Sequence, residues 1–341
     1  MFTVFGRRPA TRRFFHKFVT HAHRVDLKFL PGVKNKIHNP NGEDFSKPCV
    51  IVCNHQSLLD PMYLMALSPK IIIVANQCSS LNPVVRLMFK WLDFYTIREN
   101  TFENDIPKFK NFIEEGYSVA VYAEGERNPD SSILRFHKGA FLLAQRLNID
   151  ILPIYLHGVN NIMPIRSFAA NPGTINLLIG KRITKASPLW GEDYSETTRR
   201  VHQHFVNHYE KFRSKYETAV YFEKFVKERY IYKGLNIYSK AKKSLSKTNL
   251  QWVDSIPLDR DIVIIKNCGN GALALLTALV HKKKKVYALE DGEDERLIAS
   301  ASAYGLARNF KVVTSEEEIT EMLEENKIMR YPISSVELVC V

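Results

Sequence analysis

The sequence predicts an α/β protein of two successive units, each with a mostly parallel sheet layered against helices, the second smaller than the first. Three observations predict it. Short apolar runs, 49-CVIVCN-54, 70-KIIIVAN-76, 118-SVAVYA-123 and 150-DILPIYLHG-158, alternate with helix-patterned stretches, and such alternation marks parallel strands joined by crossover helices. From Arg260 the pattern restarts with 261-DIVIIK-266, the glycine turn 267-NCGNGA-272 and a further helix. The 341 residues, 45% apolar and 25% charged, suffice for two cores of ordinary composition.

Each element has a local reason. The run 49–54 is continuous and apolar, as a strand buried on both faces requires. In 57-SLLDPMYLMAL-67 Ser57 is placed to cap a helix and Pro61 falls in its first turn. Helices are expected at 83–92, about 104–115 and 139–147, with strands at 70–76, 118–123 and 150–158. Pro153 and Gly158 suggest an edge strand or a close backbone approach. A closing strand at 174–180 exits through 181-KRIT-184, and helix dominates from about 192 to 245. The second unit reads as strands 261–266, 285–290 and 310–314 with helices 272–282 and about 293–305; 328–341 adds one or two strands at most. The expected organisation is a first domain at 1–210, a basic helical linker at 211–255 and a smaller domain at 256–341.

The formal net charge is +12, unevenly placed. Residues 1–40 hold nine Lys and Arg against Asp26 alone, a second basic and aromatic stretch runs from 221 to 245, and the last third turns acidic. Such segments suit nucleic acid or an anionic membrane surface, although a charge run is most often a solvated face. Nothing resembles a nucleic-acid module, so nucleic acid is not expected as a partner. No apolar run approaches the roughly 18–20 residues of a membrane-spanning helix, and the N-terminus lacks a secretory signal pattern. Five scattered cysteines favour a reducing compartment.

Chemistry is expected at the carboxyl ends of parallel strands, where helix N-termini point their N–H groups outward. His55 follows one such strand and Asp60 lies five residues on: a base and an orienting carboxylate. His21 and Asp26 have the same separation without a strand before them, and no catalytic role is expected there. A second constellation, 122-YAEGERNPDSSILRFHKGAF-141, also follows a strand; Arg127 and Lys138 flank a loop able to close on an anion, with Gly125 and Gly139 permitting tight turns.

Taken in order, these blocks resemble the glycerolipid acyltransferase family, the PlsC-like lysophosphatidic acid acyltransferases. The N-H-x4-D block is met by Asn54, His55 and Asp60. The E-G-T-R and F-x-x-G blocks are met by Glu124, Gly125 and Arg127, then Phe136 and Gly139, and the V-P-V-x-x-x-G block by Pro153 and its neighbours. The resemblance covers residues 15–210 and implies a layered glycerolipid-acyltransferase-like domain. It implies direct acyl transfer from acyl-CoA or acyl carrier protein to the hydroxyl of a lysolipid, without metal or cofactor. His55 is the implied base and Asp60 its orienter, with Arg98, Glu124, Gly125, Arg127, Lys138 and Gly139 at the acceptor head group. Glu126 stands in place of the family's threonine, which leaves open whether the acceptor carries a phosphomonoester. The basic segment 12-RRFFHKFVTHAHRV-25 is then expected on an anionic membrane, on the cytoplasmic side and peripheral.

The stretch 261–294 resembles the start of a class I S-adenosylmethionine-dependent methyltransferase, a Rossmann-like unit. Gly269 and Gly271 match its turn and Glu290, or Asp291, its ribose-binding acid, which implies S-adenosylmethionine as a ligand of a reduced module. The arrangement is similar to bacterial acyltransferases joined to methyltransferase-like parts, some accompanied by a lipid transporter. Two other readings stand beside the enzyme: a lipid-binding scaffold with weakened catalysis, and a bifunctional protein binding S-adenosylmethionine.

Overall fold

The computed structural model describes residues 9–76, 94–97, 102–128, 131–164, 170–257, 259, 261–325 and 336–340. It divides into two compact units, 1–210 and 211–341. The helix expected at 83–92 lies outside the described residues.

The first unit is built on a seven-stranded sheet: β1 (Val33–His38), β2 (Val50–Cys53), β3 (Ile71–Asn76), β4 (Tyr95–Ile97), β5 (Ser118–Tyr122), β6 (Ile151–His157) and β7 (Gly173–Ile179). Their spatial order is β1-β7-β6-β2-β5-β3-β4. Every pairing is parallel except β6 with β7. All four residues of β2 are fully buried, because β2 is central and covered on both faces, and this is why its sequence runs apolar without alternation. One face carries the main core, in which Ile51, Cys53, Ile73, Ile154 and Leu177 pack together. The helix Tyr194–Arg213 packs Phe205 against Tyr155 of β6, with ring centroids 4.3 Å apart.

Most expected elements form at their expected places, and the helix Gly139–Leu147 does so at both ends. The helix after β2 starts at Asp60 and not at Ser57, because the Asp60 carboxylate holds the preceding amides in a turn. β6 is interior, not an edge. Its Pro153 is tolerated because its nitrogen faces the break in pairing between the Ile151–Ile183 bridge and the ladder that begins at Ile154–Ile179. The close backbone approach expected at Gly158 is present: φ is +87° and a Cβ there would lie 2.4 Å from the Thr174 carbonyl oxygen. β1 and β4 were not foreseen. VKNKIH has no buried residue and therefore no apolar run to read.

The helix Pro9–Lys28 buries His16, Val19, Thr20, His23 and Leu27. Arg24 donates from Nε to the Ala66 carbonyl (2.7 Å) and from a terminal nitrogen to that of Leu67 (3.0 Å). It thereby caps the carboxyl end of the Asp60–Leu67 helix, where orphan carbonyls and the dipole favour a cation. The opposite face exposes Phe14, Phe18, His21 and Val25, one stripe at helical spacing.

The second unit has a four-stranded all-parallel sheet of β8 (Ile262–Lys266), β9 (Lys285–Leu289), β10 (Phe310–Val313) and β11 (Val336–Cys340), ordered β10-β9-β8-β11. The expected linker 211–255 is not a linker. Its helices contribute Ala219, Phe222, Val226, Leu250 and Val253 to the core that also contains Val263 and Leu275. The basic residues of that stretch mask the apolar face that joins the sheet's helical layer.

Candidate active site

The strongest polar arrangement begins where β2 ends. Asn54 is fixed by a reciprocal pair with β6: its side-chain nitrogen donates to the Leu156 carbonyl and its Oδ1 accepts from the Leu156 amide, both at 2.8 Å. His55 follows. Its Nδ1 lies 2.8 Å from Oδ2 of Asp60, which is fully buried. The same oxygen accepts from the backbone amides of Gln56 (2.6 Å) and Ser57 (2.8 Å), while Oδ1 is buried with no hydrogen-bond partner among the described residues. A carboxylate so placed selects the tautomer with hydrogen on Nδ1 and leaves Nε2 as an acceptor. The six residues from His55 to Asp60 therefore form one closed turn around a single oxygen, which the sequence spacing of His55 and Asp60 permits but does not require.

The 124–136 loop closes on this turn from β5. Glu124 accepts from the His55 amide at Oε1 (2.9 Å) and from the Leu134 amide at Oε2 (2.7 Å). The Asn128 amide donates to the His55 carbonyl (3.0 Å). Glu124 is 3% exposed, and burial pushes its carboxyl up to about 7 against the lowering effect of those two amides. Each of its oxygens accepts one backbone amide, so that its carboxylate bridges the His55 turn and the loop. Gly125 adopts φ +76°, with the His137 ring where a Cβ would be. Arg127 is half-buried and Lys138 exposed, immediately before Gly139 and its helix. Arg98 lies outside the described residues.

Sequence reasoning missed Tyr122. Its ring stacks on the His55 imidazole, with centroids 4.1 Å apart and planes at 19°. The stack arises because Cys53 and Tyr122 are register partners in the β2–β5 ladder, so the residues just beyond the end of β2 meet the end of β5. An aromatic closing a strand is the only local signal, and it is shared by many core strands. Gln56 is also held, its amide donating to the Tyr209 hydroxyl (2.6 Å).

The second His–Asp spacing forms no such site. His21 is exposed, and it is His23 whose Nδ1 lies 3.8 Å from Asp26. Among the described residues no group of three or more His, Cys, Asp or Glu side chains is arranged to hold a metal ion. In the second unit Glu290 Oε2 accepts from the Gly269 amide (2.6 Å). The acid expected to meet ribose hydroxyls is thus turned onto the glycine turn, and Gly271, at φ +74°, packs against Ala299. Among the described residues this sheet has four strands, where the resembled enzymes have seven.

Residues 33–157 match the family model described as Acyltransferase. The chain is 29% identical over 160 residues to 1-acyl-sn-glycerol-3-phosphate acyltransferase beta of Homo sapiens, covering 45% of this chain and 57% of that protein. It is 29% identical over 177 residues to a chloroplastic 1-acyl-sn-glycerol-3-phosphate acyltransferase of Brassica napus, covering 50% and 51%. The chain spans about half the length of these curated relatives. Among solved structures, PlsC, the 1-acyl-sn-glycerophosphate acyltransferase from Thermotoga maritima, aligns with a TM-score of 0.49 and 20% identity over 60% of this chain and 82% of that one. The segment 33–157, which holds His55, Asp60, Tyr122 and Glu124, thus matches the Acyltransferase family over rather more than a third of the chain.

Proposed function

We propose that the protein transfers a fatty acyl group from a thioester donor, acyl-CoA or acyl carrier protein, to the hydroxyl of a lysolipid of the 1-acylglycerol-3-phosphate type at a membrane surface. The observation that carries this reading is the His55–Asp60 pair, with the carboxylate buried and held by two backbone amides. In the proposed reaction Nε2 of His55 removes the acceptor's hydroxyl proton as the oxygen attacks the thioester carbonyl. The tetrahedral intermediate expels the thiolate, which takes the proton back from the imidazolium. Asp60 stabilises that imidazolium and fixes its orientation. Arg127 and Lys138 supply positive charge for the acceptor's anionic head group. The exposed stripe Phe14, Phe18 and Val25, beside Arg13 and Lys17, supports contact between the first unit and an anionic bilayer.

The test is a transfer assay over a panel of lysolipids with both donor types. His55→Ala is expected to abolish transfer while keeping the parent's thermal transition. Turnover retained by a well-folded variant would refute the mechanism, and no transfer by the parent to any lysolipid would refute the reading.

A further inference from the structure

The second unit presents an apolar tip among cations. The helix Ala219–Glu228 is followed by a 3-10 turn at Ile231–Lys233, by Gly234 at φ 102°, and by the helix Leu235–Ser244. Tyr230 anchors the turn from beneath: it is fully buried and its hydroxyl donates to the Asn270 carbonyl (2.8 Å). The residues after it face water. Ile231 is 48%, Tyr232 96% and Leu235 89% exposed. Arg229 reaches the carbonyl of Tyr304 (3.2 Å), a further aromatic that is largely exposed. Scattered exposed apolar residues are ordinary, but here three lie within five positions on a turn whose backbone is pinned.

The charge around the tip selects its occupant. From Arg229 to Val253 the chain has six Lys and Arg and no acid. Lys242 and Lys243 are exposed, and at 100° per residue Lys242 shares the flank of Leu235. Ile237, Tyr238 and Ala241 face the core on the other side. Among the described residues Lys240 alone in this helix forms an ion pair, with Glu295 at 3.7 Å. A second copy of the chain would set lysine against lysine in a protein of net charge +12, which like-charge repulsion disfavours. A nucleic acid would use the cations and leave Ile231 and Leu235 in water. An anionic bilayer satisfies both: the tip enters the interfacial region while the lysines remain at the level of the head groups.

We infer that the turn 231–235, with its flanking lysines, is a membrane-contact site of the second unit that inserts into the interface of an anionic bilayer. The inference rests on the membrane-surface reading given above, and two reporters on the full chain separate them. Tyr232→Trp reports the tip and Phe14→Trp the N-terminal helix, each as fluorescence quenching by bromine-labelled lipid relative to the parent with its native tryptophans. Vesicles are either neutral phosphatidylcholine or phosphatidylcholine with phosphatidylglycerol. The Tyr232→Trp signal is expected to be quenched on anionic vesicles and little on neutral ones. A Tyr232→Ser/Leu235→Ser double variant, altered only at exposed positions, is expected to lower partitioning at least about tenfold. Quenching of the Phe14→Trp reporter alone overturns the tip and leaves the membrane reading standing; quenching of neither overturns both. Equal quenching on neutral vesicles overturns the anionic surface. A Tyr232→Trp blue shift that grows with protein concentration in the absence of vesicles overturns the bilayer in favour of a second copy.

Discussion

Replacing Asp60 by asparagine isolates charge from geometry. Asp60 Oδ2 accepts from the Gln56 and Ser57 amides and faces His55 Nδ1 at 2.8 Å. An asparagine oxygen can accept from the same three groups, and its amide nitrogen would take the place of Oδ1, a buried atom without a partner among the described residues. The turn is therefore expected to survive. What is lost is a full negative charge beside an imidazolium that exists only as the proton moves. Two unit charges about 4 Å apart interact by about 4 kcal/mol at an effective dielectric of about 20, and a hydrogen bond to a charged group contributes about 1.5–3 kcal/mol. A transition-state loss of about 2–4 kcal/mol corresponds to a fall in kcat of roughly thirty- to a thousand-fold. Folding should change little, because the variant no longer buries a charge. The assay is steady-state transfer to the best acceptor of the panel, with kcat and KM separated, beside thermal denaturation. An Asp60→Asn enzyme with kcat within a few-fold of the parent and the same thermal transition would refute the electrostatic role.

Three further outcomes are expected. Tyr122→Leu removes the face that stacks on His55; kcat should fall about tenfold in the transfer assay, whereas Tyr122→Phe, which keeps the stacked ring, should retain the parent's kcat. Glu124, raised to about 7 by burial, stabilises the fold fully below its unfolded value near 4.5 and loses that contribution as pH rises through about 7. Denaturation midpoints at pH 5 and pH 8 should accordingly differ more in the parent than in Glu124→Gln, and an equal difference would count against this. Gly158→Ala meets the Thr174 carbonyl oxygen at 2.4 Å with φ at +87°, whereas Gly125→Ala meets only the His137 side chain. Chemical denaturation should show a loss of about 3 kcal/mol or more for the first and about 1 kcal/mol for the second.

Local pattern accounts for much of the first unit. The apolar run of β2 and the bounds of the helix Gly139–Leu147 follow from periodicity and from Asn148, which closes that helix in the left-handed conformation. β1 escaped because it lies at the sheet margin with no buried residue, so that VKNKIH carries no apolar run. Residues 211–255 read as a linker because their lysines dominate the composition; their apolar positions become a core only when β8 and its helix lie beneath them.

The chain's sequence by itself determined that a histidine and a carboxylate stand five residues apart after a buried strand, with a loop carrying Arg127 and Lys138 downstream, because both features lie within single elements and their flanking turns. Only the tertiary structure decided what those residues touch. Glu124 became a bridge to the His55 amide, and Tyr122 a platform for its ring, because β5 lies beside β2 in parallel register. Strand pairing across some seventy residues is a long-range choice, made by the burial of both sheet faces, and no local pattern encodes it.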